Sequence, residues 1–240
     1  MIRITIALLM LAFYLPAKAT DTIWIKKIQQ RVQPFERRYL QYTELKEGKV
    51  RLSALLTRKA IKTSYGGSNS LLFIQTYQFE KGVDRDSSFV NDETLLPLAY
   101  FTDIQSEGHR EEVLFLAEQV HNKVIYKDST TVFEKPAHEW FNGVVTDDII
   151  SSLPMKKGSV FAFRAINPGK RYYEYAVIIT VEGKEELLIP GIGNLSCWRI
   201  RIGDEKDGVL EWYTIKEQIQ VKKQARLRNG TTFHRVLIAG

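Results

Sequence analysis

Gln218-Ile219-Gln220-Val221-Lys222-Lys223-Gln224-Ala225-Arg226-Leu227-Arg228-Asn229-Gly230-Thr231-Thr232-Phe233-His234-Arg235-Val236-Leu237-Ile238 is the stretch that decides the fold class. Ile219, Val221, Ala225 and Leu227 fall on one side of an extended chain, interrupted only by Lys223. Gln218, Gln220, Lys222, Gln224, Arg226 and Arg228 fall on the other. A period of two is the signature of a strand with one wet face. Asn229-Gly230 is the dipeptide of a tight two-residue hairpin, so Thr231 to Ile238 reads as the returning strand.

The same alternation extends upstream. It predicts strands over Arg38–Leu45, Lys49–Lys62, Ser70–Phe79, Leu96–Ile104, Glu111–Leu116 and Lys123–Lys127. Further strands are expected over Ser159–Ile166, Tyr172–Val181, Glu185–Ile189, Leu195–Ile202 and Val209–Ile215. Turns are expected at Glu47-Gly48, Gly66-Gly67-Ser68-Asn69, Lys81-Gly82, Asn167-Pro168-Gly169, Glu182-Gly183 and Asp207-Gly208. Helical patterning is confined to Thr22–Val32 and Asp147–Leu153. The expectation is an all-β chain with minor α: one large curved antiparallel sheet forming an open or incomplete barrel or clam.

The N-terminus reads as an export signal. Arg3 precedes the apolar run Ile4–Leu15, Pro16 breaks it, and Ala17-Lys18-Ala19 has the small-x-small pattern of a cleavage site. A run of that length is too short to span a bilayer, which takes about 20 residues. The expectation is cleavage after Ala19, leaving residues 20–240 as a single β-rich domain. No cysteine near the site offers a lipid attachment point, because Cys197 is the only cysteine of the chain. Cys197 lies within the apolar, strand-like run Leu195–Ile200 with no histidine nearby, the setting of a buried, inert thiol.

The chain has 34 basic and 28 acidic residues. The basic excess is concentrated near the C-terminus, in Arg199, Arg201, Lys216, Lys222, Lys223, Arg226, Arg228 and Arg235. In an exported protein such charge favours anionic lipid head groups over nucleic acid, and it also fits a solvated sheet face.

Several segments resemble a family of uncharacterised exported bacterial β-rich proteins, classed as a domain of unknown function. They are Asp92-Glu93-Thr94-Leu95-Leu96-Pro97, Asp147 to Gly158 with its Leu153-Pro154-Met155-Lys156-Lys157-Gly158 strand start, Val181 to Glu185, Ile189-Pro190-Gly191 running into Cys197-Trp198, and Glu211-Trp212-Tyr213. The resemblance covers roughly residues 35–240 and implies a periplasmic location. More distantly, the layout resembles periplasmic carriers of outer-membrane lipoproteins, whose incomplete antiparallel barrel binds acyl chains.

Catalytic signals are sparse. His109, His121, His138 and His234 have neither helical nor short strand spacing for a metal, and no cysteine cluster exists. His138, Glu139 and Asp147 or Asp148 form the nearest approach to an acid–base set, and a hydrolase built on them is the weakest of three readings. The leading expectation is a non-catalytic periplasmic protein without cofactor or metal. It would bind a lipid, a lipoprotein acyl chain or a similar apolar ligand through Tyr173, Tyr175, Trp198 and Trp212, with at most peripheral membrane contact. The alternative is an envelope scaffold or assembly factor that contacts partner proteins through a sheet edge.

Overall fold

The computed structural model describes residues 22–26, 28, 31–204 and 208–240. The expected leader, residues 1–19, lies outside them. The chain is 65% strand and 4% helix, in one large curved sheet that does not close into a barrel. The strands of the first half are β1 (Thr22–Trp24), β2 (Phe35–Glu44), β3 (Val50–Tyr65), β4 (Ser68–Phe79) and β5 (Gly82–Asn91). They continue with β6 (Pro97–Ile104), β7 (His109–Phe115), β8 (Gln119–Tyr126), β9 (Thr130–Pro136) and β10 (Phe141–Asn142). After a 3₁₀ turn at Gly143–Val145 and helix α1 (Thr146–Ser151) come β11 (Val160–Asn167), β12 (Tyr173–Ile189) and β13 (Gly193–Ile202). The last three are β14 (Val209–Thr214), β15 (Gln220–Arg226) and β16 (Thr232–Ala239).

The sheet is two meanders, β2 to β9 and β11 to β16, joined where β16 pairs antiparallel with β2. Among the described residues only β1 and β10 run parallel to their neighbour, both along the same edge of β11. Register shifts interrupt the ladders at Val181/Gly183, Trp212/Tyr213, Leu237/Ala239, Gln41/Tyr42 and Phe89/Val90. Each such bulge bends its strand and sharpens the right-handed twist, which gives a sheet this wide its curl.

Helix α1 plugs the concave side. Ile149, Ile150 and Leu153 are completely buried in a cluster with Ala60, Leu71, Phe73 and Val90 from the first meander. Phe161, Phe163, Val177, Ile179, Ile200 and Tyr213 join the same cluster from the second. Strands from both halves therefore converge on one short helix, and the sheet wraps around it. A second cluster gathers Tyr39, Leu56, Ile189, Cys197, Trp212, Val221 and Leu237.

Several local expectations change. Thr22–Val32 was expected to be helical, but Thr22–Trp24 is strand β1, paired with Val160–Ala162. A β-branched and aromatic tripeptide suits a pleated edge better than a helix, and the Ile25 N–H continues the pairing to the Ala162 carbonyl at 2.7 Å. Positions 27, 29 and 30 of that segment lie outside the described residues. Glu182-Gly183 is not a turn: β12 runs straight through it, with Gly183 at φ +152° in a bulge opposite Arg199. Strands β5, β9 and the two-residue β10 had no counterpart in the expectations: Asp84-Arg85-Asp86-Ser87-Ser88 and the exposed Thr130–Pro136 lack apolar alternation, and Phe141–Asn142 is too short to show any. Asn229-Gly230 does make a hairpin, but with a three-residue loop. The Gly230 N–H bonds the Leu227 carbonyl, the Leu227 N–H bonds the Thr231 carbonyl, and Gly230 takes φ +80°. Asp207 of the expected Asp207-Gly208 turn is outside the described residues. The helix expected at Asp147–Leu153 is present as α1.

Candidate functional site

The burial pattern of β3 explains the most unusual interior feature. Ala54, Leu56, Arg58 and Ala60 are the buried positions of an alternating strand, so Arg58 enters the core in phase with apolar neighbours. Its side chain is 2% exposed. It meets the start of α1: Nη2 donates to Asp148 Oδ2 at 2.5 Å, and Nη1 lies 3.3 Å from Asp147 Oδ2. On the second meander, Arg235 of β16 donates to Asp147 Oδ2 at 2.8 Å and to Gln220 Oε1 at 3.3 Å. Lys223 of β15 is 2.7 Å from the fully buried Glu211 and 3.7 Å from Asp147. The Tyr213 hydroxyl and the Gln220 amide both donate to Glu211, at 2.6 and 2.9 Å. Three cations and three carboxylates thus balance inside the fold.

Burial alone would raise the Asp147 pKa, but Lys223, Arg235 and Arg58 outweigh it and hold the carboxyl below the usual range. For Asp148 burial wins over Arg58, and the pKa is raised. Burial would lower the Arg58 pKa, yet Asp148 and Asp147 hold it above the ordinary value. Further pins fix the segment leading into α1. The Gln75 amide donates to the Val144 carbonyl at 3.0 Å, and the Asn142 amide donates to Ser88 Oγ at 3.0 Å. With each carboxylate engaged by cations, the cluster is a clasp between helix and sheet. Among the described residues, no group of three or more His, Cys, Asp or Glu side chains is arranged to hold a metal ion.

The four aromatics expected to contact a ligand do not form one site: Tyr173 and Tyr175 are ring neighbours, Tyr175 and Trp198 border the cluster around α1, and Trp212 belongs to the second cluster. Tyr173 is 54% exposed, and its ring lies 5.2 Å from that of Tyr175. Tyr175 and Trp198 pack against the cluster around α1, and Lys184 Nζ sits 5.0 Å above the Trp198 ring. Trp212 belongs to the second cluster, donates from Nε1 to Glu185 at 3.2 Å and is covered by Lys222. His138 stacks on Trp140 and lies 3.7 Å from Glu174, with Glu139 exposed beside it, whereas Asp147 is held by the buried cations. The acid–base set expected from the sequence therefore shares no ion pair. Cys197 is buried, with Sγ 3.6 Å from the Leu195 carbonyl, and burial together with Glu186 and Glu185 pushes its thiol up to about 11.

Two of the clefts that face solvent have contrasting linings. One, of about 340 Å³, is polar; Tyr77, Asp84, Asp86, Tyr100, Glu107, His109 and Glu111 line it beneath the Asn167–Arg171 loop. Most of its carboxylates already have protein partners. Thr102 and Tyr100 donate to Asp86, Ser106 donates to Asp84, and Lys170 and Arg171 flank Glu107. His109 Nε2 lies 3.0 Å from Glu111 Oε1, which also accepts the Lys170 N–H.

The other cleft, of about 790 Å³, lies where β3 runs past the end of β4. Pairing between these strands stops at Leu55–Gln78, so Val50–Ala54 pair only with β2. Leu52, Ala54, Leu55 and Phe79 give the notch apolar walls, and Arg51 and Lys81 bracket it. Leu52 is 65% exposed and Phe79 36%. The sequence reading missed this site because it depends on where one strand outruns its neighbour, and not on a motif.

An open, bulge-curved all-β sheet wrapped on a clasped helix defines the class. Within it, the chain belongs to the family described as protein of unknown function (DUF3108), whose model matches residues 38–235. No curated protein matches the chain.

Proposed function

We propose that this is a non-catalytic protein of the bacterial periplasm that binds an amphipathic ligand: a lipid, a lipoprotein acyl chain or a similar apolar group. The observation that supports this reading is the notch between β3 and β4. Its volume of about 790 Å³ falls within the range of small-molecule sites, about 300–1,000 Å³. An apolar tail laid over Leu52 and Phe79 would take the remaining exposed surface of both out of water, a part of the about 1.5–3 kcal/mol that full burial of such a side chain is worth, and the larger part at Leu52. Arg51 and Lys81 at its margin suit an anionic head group. Because α1 fills the middle of the sheet, the ligand rests on the rim of the fold. Native mass spectrometry after mild purification, with titration of a fluorescent fatty acid, tests the reading. Saturable uptake that Leu52→Asp abolishes is the expected result; no co-purified lipid and no uptake would overturn it.

A second reading has its own support. Val50-Arg51-Leu52-Ser53-Ala54 contains neither Lys nor Pro and is unpaired on the β4 side, an edge to which an extended segment of a partner protein could add a strand. Protein cross-links through position 52, in place of lipid, would favour an envelope assembly factor.

A further inference from the structure

We infer that the hairpin turns beside the notch form a docking face for an anionic lipid bilayer. The inference deepens the binding reading and rests on it for the envelope setting. Strands β15, β16, β2, β3, β4 and β5 are consecutive in the sheet, so the β15–β16, β2–β3 and β4–β5 turns project from the same end. Two of them touch: a Cβ on Gly230 would lie 2.7 Å from Lys46 Cε.

The three turns and their flanks, 226–231, 44–52 and 79–83, hold the six basic residues Lys46, Lys49, Arg51, Lys81, Arg226 and Arg228 against Glu44, Glu47 and Glu80. Half of the chain's net charge of +6 is thereby gathered in these turns. All six basic residues are exposed. Lys49 pairs with Glu47 at 2.9 Å. Among the described residues no carboxylate pairs with Lys46, Arg51, Lys81, Arg226 or Arg228, unlike Arg199 and Arg201, which both engage Glu182.

Apolar side chains stand between these charges. Val50 is 64% exposed, Leu52 65%, Leu227 40%, Val83 37% and Phe79 36%. The turns at the opposite ends of these strands, 66–67, 92–96 and 215–218, carry Asp92, Glu93 and Glu217 against Lys216 alone. Taken without flanks, turns 45–49, 80–81 and 227–231 carry Lys46, Lys49, Lys81 and Arg228 against Glu47 and Glu80, so they are basic where the opposite turns are acidic. The basic patch is bounded on its own side by Glu107 and Asp204 of the β6–β7 and β13–β14 turns. Basic residues close to an anionic leaflet each contribute about 1 kcal/mol within a Debye length, and neighbouring apolar side chains add by entering the interface. An anionic leaflet offers head-group charge and an apolar interior at one surface, which matches basic residues interspersed with exposed aliphatic side chains.

Flotation with vesicles of phosphatidylcholine containing phosphatidylglycerol, against pure phosphatidylcholine vesicles, tests the inference on the whole protein. Binding should require phosphatidylglycerol, weaken as salt is raised and fall at least about tenfold in the double variant Arg226→Glu/Arg228→Glu. Those arginines lie outside the notch, so fatty-acid uptake in that variant should be unchanged, and its circular dichroism reports that it is folded. Equal binding to both vesicle types, no binding to either, or full binding by the folded variant would overturn the docking face. Leu52 belongs to both surfaces, so Leu52→Asp should lose fatty-acid uptake and also weaken vesicle binding, whereas absence of uptake in the unaltered protein with anionic vesicle binding retained would remove the ligand reading alone.

Discussion

Arg58 and Asp148, ninety residues apart in the chain, meet at 2.5 Å with side chains only 2% and 3% exposed. One lies on the longest strand of the first meander and the other on the helix that the sheet wraps around. With Arg235 and Lys223 reaching Asp147 from the second meander, both halves of the sheet close on a single helical turn. Removing one member of a buried ion pair strands the other in low dielectric, which costs about 3–5 kcal/mol. The clasp thereby fixes where the plug sits.

Asp147 serves three cations and Asp148 one, so Asp147→Asn should destabilise more than Asp148→Asn, the former by about 3–5 kcal/mol. The pH dependence should differ as well. The folded-state pKa of Asp147 is depressed, so its contribution is complete above the unfolded value of about 3.9 and drains away as pH falls towards the folded one. Thermal melts from neutral pH down to about 3 should show the gap between the unaltered protein and Asp147→Asn narrowing below about pH 4. A gap independent of pH would contradict the role given to Asp147.

Gly143 and Tyr175 supply a paired test. A Cβ at 143 would lie 2.5 Å from the Tyr175 hydroxyl and 3.3 Å from the Ile166 carbonyl. Gly143→Ala should lower stability by about 1–3 kcal/mol, the usual range for overpacking. Tyr175→Phe deletes the obstructing oxygen, so the double variant should be more stable than the sum of the single effects predicts. Denaturant melts of all four proteins give the coupling, and simple additivity would show that the ring does not press on this turn.

Much of the sheet was legible because half-buried strands write themselves in period two, as Ile219 to Leu227 do. The departures have physical causes. Strand β5 hid because its inward positions include Asp86, which accepts from its paired residue Thr102 on β6, and Ser88, which accepts from Asn142 of β10. Tyr172–Val181 and Glu185–Ile189 seemed separate because Gly183 looks like a turn but serves as a bulge. The clasp left a trace: Lys223 interrupts the apolar side of β15, and it is the residue that reaches Glu211 and Asp147. Arg58 left the same trace in β3. A charge in phase with a buried face was the available signal, but its partners sit on strands and a helix that only folding brings together. Trp198 and Trp212 are separated by register: Trp198 pairs with Tyr213 and Trp212 with Arg199, which puts the two tryptophans on opposite faces of the sheet.

Cys197 should be slow to react in the folded protein. Burial and the carboxylates of Glu186 and Glu185 raise its thiol to about 11, leaving little thiolate at neutral pH. A thiol-specific dye should label one equivalent at once in denaturant and far more slowly without it. Rapid native labelling would mean that the strand around it opens readily.

The rim and the core should respond oppositely to substitution. Leu52 and Phe79 are 65% and 36% exposed, so Leu52→Asp and Phe79→Ala should each shift stability by no more than about 0.5–1 kcal/mol while weakening fatty-acid binding about tenfold or more. Trp198 packs against the cluster around α1, so Trp198→Ala should cost about 2–4 kcal/mol and leave the affinity of the folded fraction unchanged. Calorimetric melts together with probe titrations on the same preparations separate the two effects. If Trp198→Ala abolished binding and Leu52→Asp did not, the ligand would have to lie among the aromatic residues and not in the notch beside β3.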